Sequence, residues 1–223
     1  MDEEAPEENT EQSRSMALFM RIEHHWIEVA AAALMALATM MSAFSAWQSA
    51  EWHARAADRY SRSDQALIKA SELNDTANQQ VAIDAAMMAQ YADALIAGNT
   101  KLAEIYMSDA FSPELQAAVK TWEADKLANK PGTPRNPFQM PQYKPKKRIE
   151  SAKMQATAVV QSRQGKTARD HSNDYLLLTV LFASVLFFAG IATKFKAQGV
   201  KLTVMGMGGL LFIVSVVLLA IEP

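Results

Sequence analysis

The sequence predicts an all-α membrane protein, with three transmembrane helices and an α-helical extramembrane bundle between spans one and two. Three observations carry this expectation. Three long segments are apolar and uncharged. No glycine or proline occurs between Pro6 and Gly98. The remainder is rich in Ala, Gln, Leu and Met, which favour helix.

The chain has 223 residues and a formal charge of -2, unevenly spread. Asp2, Glu3, Glu4, Glu7, Glu8 and Glu11 crowd the start with no base among them. Such a run repels itself and buries nothing, so 1–24 reads as an acidic, disordered tail. The first apolar stretch begins only near Trp26 behind this acidic start, so it reads as a retained anchor rather than a signal peptide. Cysteine is absent, which excludes disulfides, thiol catalysis and thiolate-held metals.

A bilayer core is crossed by about 20 mostly apolar residues. The first span is assigned to 25–48, with Val29–Trp47 uncharged. The second is 175–193 and the third 202–221, both uncharged. The connection Lys194–Lys201 is too short for structure of its own, so the last two spans form an antiparallel hairpin. Lys194, Lys196 and Lys201 make it a basic loop, which by the positive-inside rule marks the cytoplasmic side. The N-terminus then lies inside and the domain 49–174 outside. Arg55, Arg59, Arg62, Arg163, Lys166 and Arg169 oppose this, but long domains translocate largely regardless of charge.

Within 49–174, Leu67, Ala70, Leu73 or Asn74, Ala77, Val81, Ala85, Met88, Tyr91 and Leu95 form a helical apolar stripe. An unbroken helix over Gln48–Ile96 would be about 70 Å long, and the returning Lys146–Asp174 only about 44 Å. A turn near Asn74-Asp75-Thr76, residues that cap helices, removes the mismatch. Gly98 stops the second helix. A short helix follows near Lys101–Met107. Ser112-Pro113-Glu114 then starts a helix that ends near Asn129, with a serine cap and proline in the first turn. Five prolines make 131–145 an extended loop. A last helix begins near Lys146 and runs into the second span, with Gly165 the place for a kink.

Trp47-x4-Trp52, the loop Pro134-x-x-Pro137-Phe138-x-Met140-Pro141-x-Tyr143, and Ser172-Asn173-Asp174-Tyr175 leading to Phe187-Phe188-Ala189-Gly190-Ile191 carry a resemblance. In these motifs the chain resembles a group of uncharacterised bacterial three-span membrane proteins with no known activity. The resemblance implies a bacterial inner-membrane setting, hence a periplasmic domain 49–174. It implies no catalytic residue.

Trp47, Trp52, Trp122, Phe138 and Tyr143 are the candidate interaction residues. Trp47 and Tyr175 also suit an aromatic belt at the headgroups. Ala32, Ala36, Ala43 and Ala46, with Gly206, Gly208 and Gly209, permit close helix packing. Ser42 belongs to a hydroxyl stripe with Thr39, Ser45 and Ser49, which bonds to backbone or a neighbouring helix rather than lining a path. His24 and Glu28 share a helix face, as metal ligands can, but read as interface residues. The basic run Lys144, Lys146, Lys147 and Arg148 reads as a solvated loop, and no basic fold motif points to nucleic acid. Asp84, Asp93, Glu123 and Asp125 sit in helices without a catalytic pairing in the sequence. No metal, cofactor or catalytic residue is expected.

These readings favour a non-enzymatic, membrane-anchored interaction or assembly protein. Its partners are the lipid bilayer and either further copies of itself or another membrane protein. The alternative is a small channel or transporter component formed by oligomerisation.

Overall fold

A computed structural model describes residues 8–195 and 197–222, with side chains from Ile27 onward. Of the tail expected to be disordered over 1–24, residues 1–7 lie outside that description, as do the side chains of His24 and His25, whereas 8–24 form the first turns of a helix. The elements are α1 (Glu8–Ile96), α2 (Thr100–Ile105), a π-helical turn (Tyr106–Ala110), α3 (Pro113–Leu127), a 3-10 turn (Pro137–Gln139), α4 (Lys146–Ala192) and α5 (Gln198–Ile221). No strand occurs among the described residues. Helices α1, α4 and α5 are long and apolar enough to cross a bilayer. Two compact units are present, one of Met1–Ala57 with Gly165–Pro223, the other Asp58–Gln164.

In the first unit, α1, α4 and α5 meet around Tyr175, Leu178 and Phe182, against which Met41, Trp52, Phe212 and Val216 pack. Tyr175 is therefore buried among helices and not in the belt position expected for it. Outward, the last two helices expose Leu177, Val180, Phe187, Leu210 and Ile213. Water would penalise such a surface, whereas hydrocarbon does not. Gly208 is buried where an added Cβ would stand 3.2 Å from the Phe188 Cβ. That glycine sets how closely α5 approaches α4. Ser49 Oγ donates to the Ser172 carbonyl at 2.8 Å, and Ser172 Oγ donates back to the Ser49 carbonyl at 2.9 Å. These reciprocal bonds require α1 and α4 to lie close.

Lys201 differs from its expected place in an open basic turn. It sits in the first turn of α5, 4% exposed, with Nζ 3.5 Å from a Glu28 carboxylate oxygen on α1. A buried ammonium needs a counter-charge, and Glu28 supplies it.

In the second unit, α1 shows no turn at Asn74-Asp75-Thr76. The helix runs unbroken to Ile96, and Thr76 Oγ1 bonds back to the Glu72 carbonyl at 2.8 Å instead of capping a new helix. The mismatch that called for a break is met differently. The later part of α1 is covered by α2, α3 and the proline loop, not by α4. Tyr91, Ala94, Ala103, Phe111, Leu115 and Val119 form that core, with Met88, Phe138 and Tyr143 against it.

The seam of α1 is also narrower than the expected stripe. Ser63, Ala70, Ala77, Asp84 and Tyr91 are buried at seven-residue steps, while Leu67 and Leu95 are exposed. Ser63 Oγ donates to the Ala158 carbonyl at 3.0 Å, and Ser151 Oγ donates to the Ala70 carbonyl at 2.7 Å. Small residues win this face because only they let a short hydroxyl reach the opposing backbone.

The other starts and stops follow their local chemistry. Ser112 Oγ accepts from the Leu115 amide at 3.1 Å ahead of Pro113. Gly98 has φ +68, and the Asn99 amide reaches the Ala94 carbonyl at 2.9 Å to close α1. Asn129 does the same for α3 at φ 48. Helix α4 begins at Lys146 and continues through Gly165 to Ala192 as one element.

Candidate functional site

The polar centre of the Asp58–Gln164 unit is Asp84, 1% exposed on the inner face of α1. Its carboxylate accepts from the Ser112 hydroxyl at 2.7 Å, the Ser112 amide at 3.4 Å, the Tyr143 hydroxyl at 3.0 Å and Gln80 Nε2 at 3.0 Å. Ser112 therefore holds Asp84 and caps α3 at once. Tyr143 brings in the proline loop. One carboxylate thus fastens three segments that are far apart in sequence. A buried charge is tolerated only when it is bonded in this way.

The neighbouring phenols report the same enclosure. Burial pushes the Tyr143 phenol well above its ordinary value, helped by the hydrogen bond and negative charge of Asp84, while Arg148 pulls the other way. Burial likewise pushes Tyr91 up to about 12, reinforced by its 2.7 Å bond to Glu123 and that charge. Beside Asp84 lies an open cleft of about 390 Å³, bordered by Thr76, Gln80, Ser112, Glu114, Lys146 and Lys147. Both oxygens of Asp84 and the Ser112 hydroxyl are already occupied by protein groups. The cluster clamps segments together, and its atoms are engaged in that task.

The five candidate interaction residues fall in different places. Trp122 donates Nε1–H to the Pro134 carbonyl at 2.9 Å, and Phe138 meets Tyr143 edge-on at 5.0 Å. These three residues, with Tyr143 on Asp84, bind the proline loop to the helices within the unit. Trp47 is 61% exposed beside Phe44. Trp52 packs on the His171 imidazole at 4.8 Å, with the Arg55 guanidinium over its ring.

Of the packing residues, Ala32, Ala36 and Gly206 face outward, while Ser42 and Gly209 are half-buried. On the first and third spans the small residues that are buried include Ala31, Ala38, Ser45, Gly208 and Ser215. The hydroxyl stripe behaves as expected at Thr39, which bonds to the Met35 carbonyl at 2.8 Å, and at Ser49.

Sequence reasoning missed the Asp84–Ser112 pair. The one available signal was an acid standing on the apolar face of α1, in register with Ala70, Ala77 and Tyr91. No family model, curated protein or solved structure matches the chain. The chain itself has three long apolar helices, consistent with a three-span membrane protein, with short helices between the first and second.

Proposed function

We propose that the protein is a non-enzymatic, membrane-anchored interaction or assembly protein, a subunit or scaffold of a membrane complex. The observation that carries this reading is the set of apolar side chains left uncovered on both long helices of the Asp58–Gln164 unit. Ile68 and Ile83 on α1 are 61% and 51% exposed, and Val159 and Val160 on α4 are 57% and 52% exposed. The small-residue seam buries few side chains of each helix, so these remain outside. Covering them recovers about 25 cal/mol for each Å² removed from water. A further copy of the chain or a membrane-protein partner would supply that cover, and the spans would associate in the same complex.

The proposed setting is a bacterial inner membrane, with a cytoplasmic N-terminus and domain 49–174 in the periplasm. Lys194 in the short loop and Arg14 and Arg21 before the first span support that orientation. Burial of Lys201 against Glu28 removes one charge from the argument. An alkaline phosphatase fusion after Pro223 that stays inactive reverses the orientation.

A photo-crosslinking residue placed in turn at Ile68, Ile83 and Val160, in native membranes, tests the function. The expected result is a discrete adduct with a second copy or one membrane protein. Monomer alone at all three positions refutes the reading. Ion flux through liposomes holding the purified protein replaces it with the channel alternative.

A further inference from the structure

In the membrane unit, three groups converge that no part of the reading above uses. His171 and Asp174 stand three residues apart on one face of α4. Glu222 follows α5 as its C-cap, held by its amide to the Leu218 carbonyl at 3.2 Å. One ligand atom from each lies within 4.8 Å of the others. All three side chains are half-buried.

His171 Nδ1 is the informative atom. It is shielded from solvent and has no hydrogen-bond partner. Its nearest anionic neighbour, Glu222 Oε2, stands at 3.6 Å. That is too long for a hydrogen bond. It is close to the distance between two ligands of one tetrahedral cation, about 3.4 Å for bonds near 2.1 Å. The Trp52 ring packed on the imidazole at 4.8 Å holds its plane in place.

We propose that His171, Asp174 and Glu222 form a site for one divalent transition cation, Zn²⁺ by preference, which ties the end of α5 to α4. An imidazole among the ligands favours zinc and its neighbours over calcium or magnesium. Three protein ligands leave the fourth position to water. The two carboxylates balance the charge of the cation, and the bound ion satisfies the orphan nitrogen. The site closes the last two helices at the end opposite their short loop. It is a clamp on the three-helix unit and does not depend on what the other unit binds.

The test uses the full chain in detergent micelles, purified without a histidine tag, and titrated with Zn²⁺ against a chromophoric chelator. Wild type is expected to bind one equivalent. His171→Ala is expected to weaken binding at least a hundredfold, and Glu222→Gln at least tenfold. Co²⁺ in wild type should give the visible absorption of a four-coordinate ion with nitrogen and oxygen ligands. Circular dichroism of the metal-free variants establishes that they keep their helices. Glu222→Gln, beyond the last helix, keeps the test decisive if His171→Ala misfolds. No stoichiometric Zn²⁺ in wild type overturns the proposal. So does unchanged binding in folded His171→Ala or Glu222→Gln, and so does loss of binding in a His24→Ala, His25→Ala variant, which would place the ion elsewhere.

Discussion

Replacing Asp84 with alanine removes the acceptor of four hydrogen bonds. The Gln80 amide stands on an exposed residue and recovers a water partner. The Ser112 hydroxyl belongs to a residue only 9% exposed, and Tyr143 is half-buried with its ring against Phe138. A bond to a charged acceptor contributes about 1.5–3 kcal/mol net, and an abandoned buried donor costs about 1–3 kcal/mol. Counting the two short bonds and allowing water in through the neighbouring cleft leaves a loss of about 3 kcal/mol. That corresponds to a local opening equilibrium larger by roughly a hundredfold. Amide hydrogen exchange read by mass spectrometry on the whole protein measures it directly. Peptides over 106–119 and 137–144 should lose protection by that factor, while peptides from 176–192 should not change. Asp84→Asn keeps the shape and one acceptor oxygen, so its loss should be smaller, about 1–2 kcal/mol. Ser112→Ala should cost less in the Asp84→Ala background than in wild type, because the two share a bond. Protection in 106–119 within threefold of wild type in Asp84→Ala would refute the reasoning.

Ser151→Leu should lower the melting temperature sharply. The residue is 2% exposed and its hydroxyl bonds across the seam to Ala70, so a branched side chain overpacks the contact by about 1–3 kcal/mol and loses the bond as well. Ser151→Ala should cost only about 1 kcal/mol, and a Leu variant as stable as the Ala variant contradicts the close seam. In an alkaline spectrophotometric titration, Tyr91 and Tyr143 should ionise later than an exposed phenol. The folded state holds the Tyr91 proton more tightly than the unfolded chain, whose phenol titrates near 10. Its contribution to stability is therefore complete below about pH 10 and is lost as pH rises from about 10 to 12. Tyr91→Phe should flatten that part of the stability curve, and an unaltered curve sinks the assignment.

Where local chemistry decides an element, the sequence was enough. Ser112-Pro113 starts α3 because the serine oxygen and the proline ring act within one turn. Five prolines keep 131–145 out of regular helix, apart from the short turn Pro137–Gln139. Asn74-Asp75-Thr76 misled for the same reason. Their capping tendency is worth about 1 kcal/mol, and the packing of α2, α3 and the loop on α1 outweighs it. The apolar stripe expected on α1 holds Ala70, Ala77 and Tyr91, which are buried, but also the larger Leu67 and Leu95, which close helix contact leaves exposed. Tyr175 was legible as a boundary residue, yet its burial depends on where Trp52 and Phe182 lie.

The three long apolar helices, the hairpin of the last two and the helical character of the rest follow from the sequence alone. Length and apolarity act on each segment separately, so no partner need be known. The tertiary structure alone decided that α1 is unbroken, that Asp84 is a buried clamp, that Lys201 is paired with Glu28, and that His171 meets Glu222. The first depends on what packs along α1, and the other three join residues far apart in sequence, where the free energy of a charge or a donor depends on what surrounds it. Residue order does not contain that until the chain has folded.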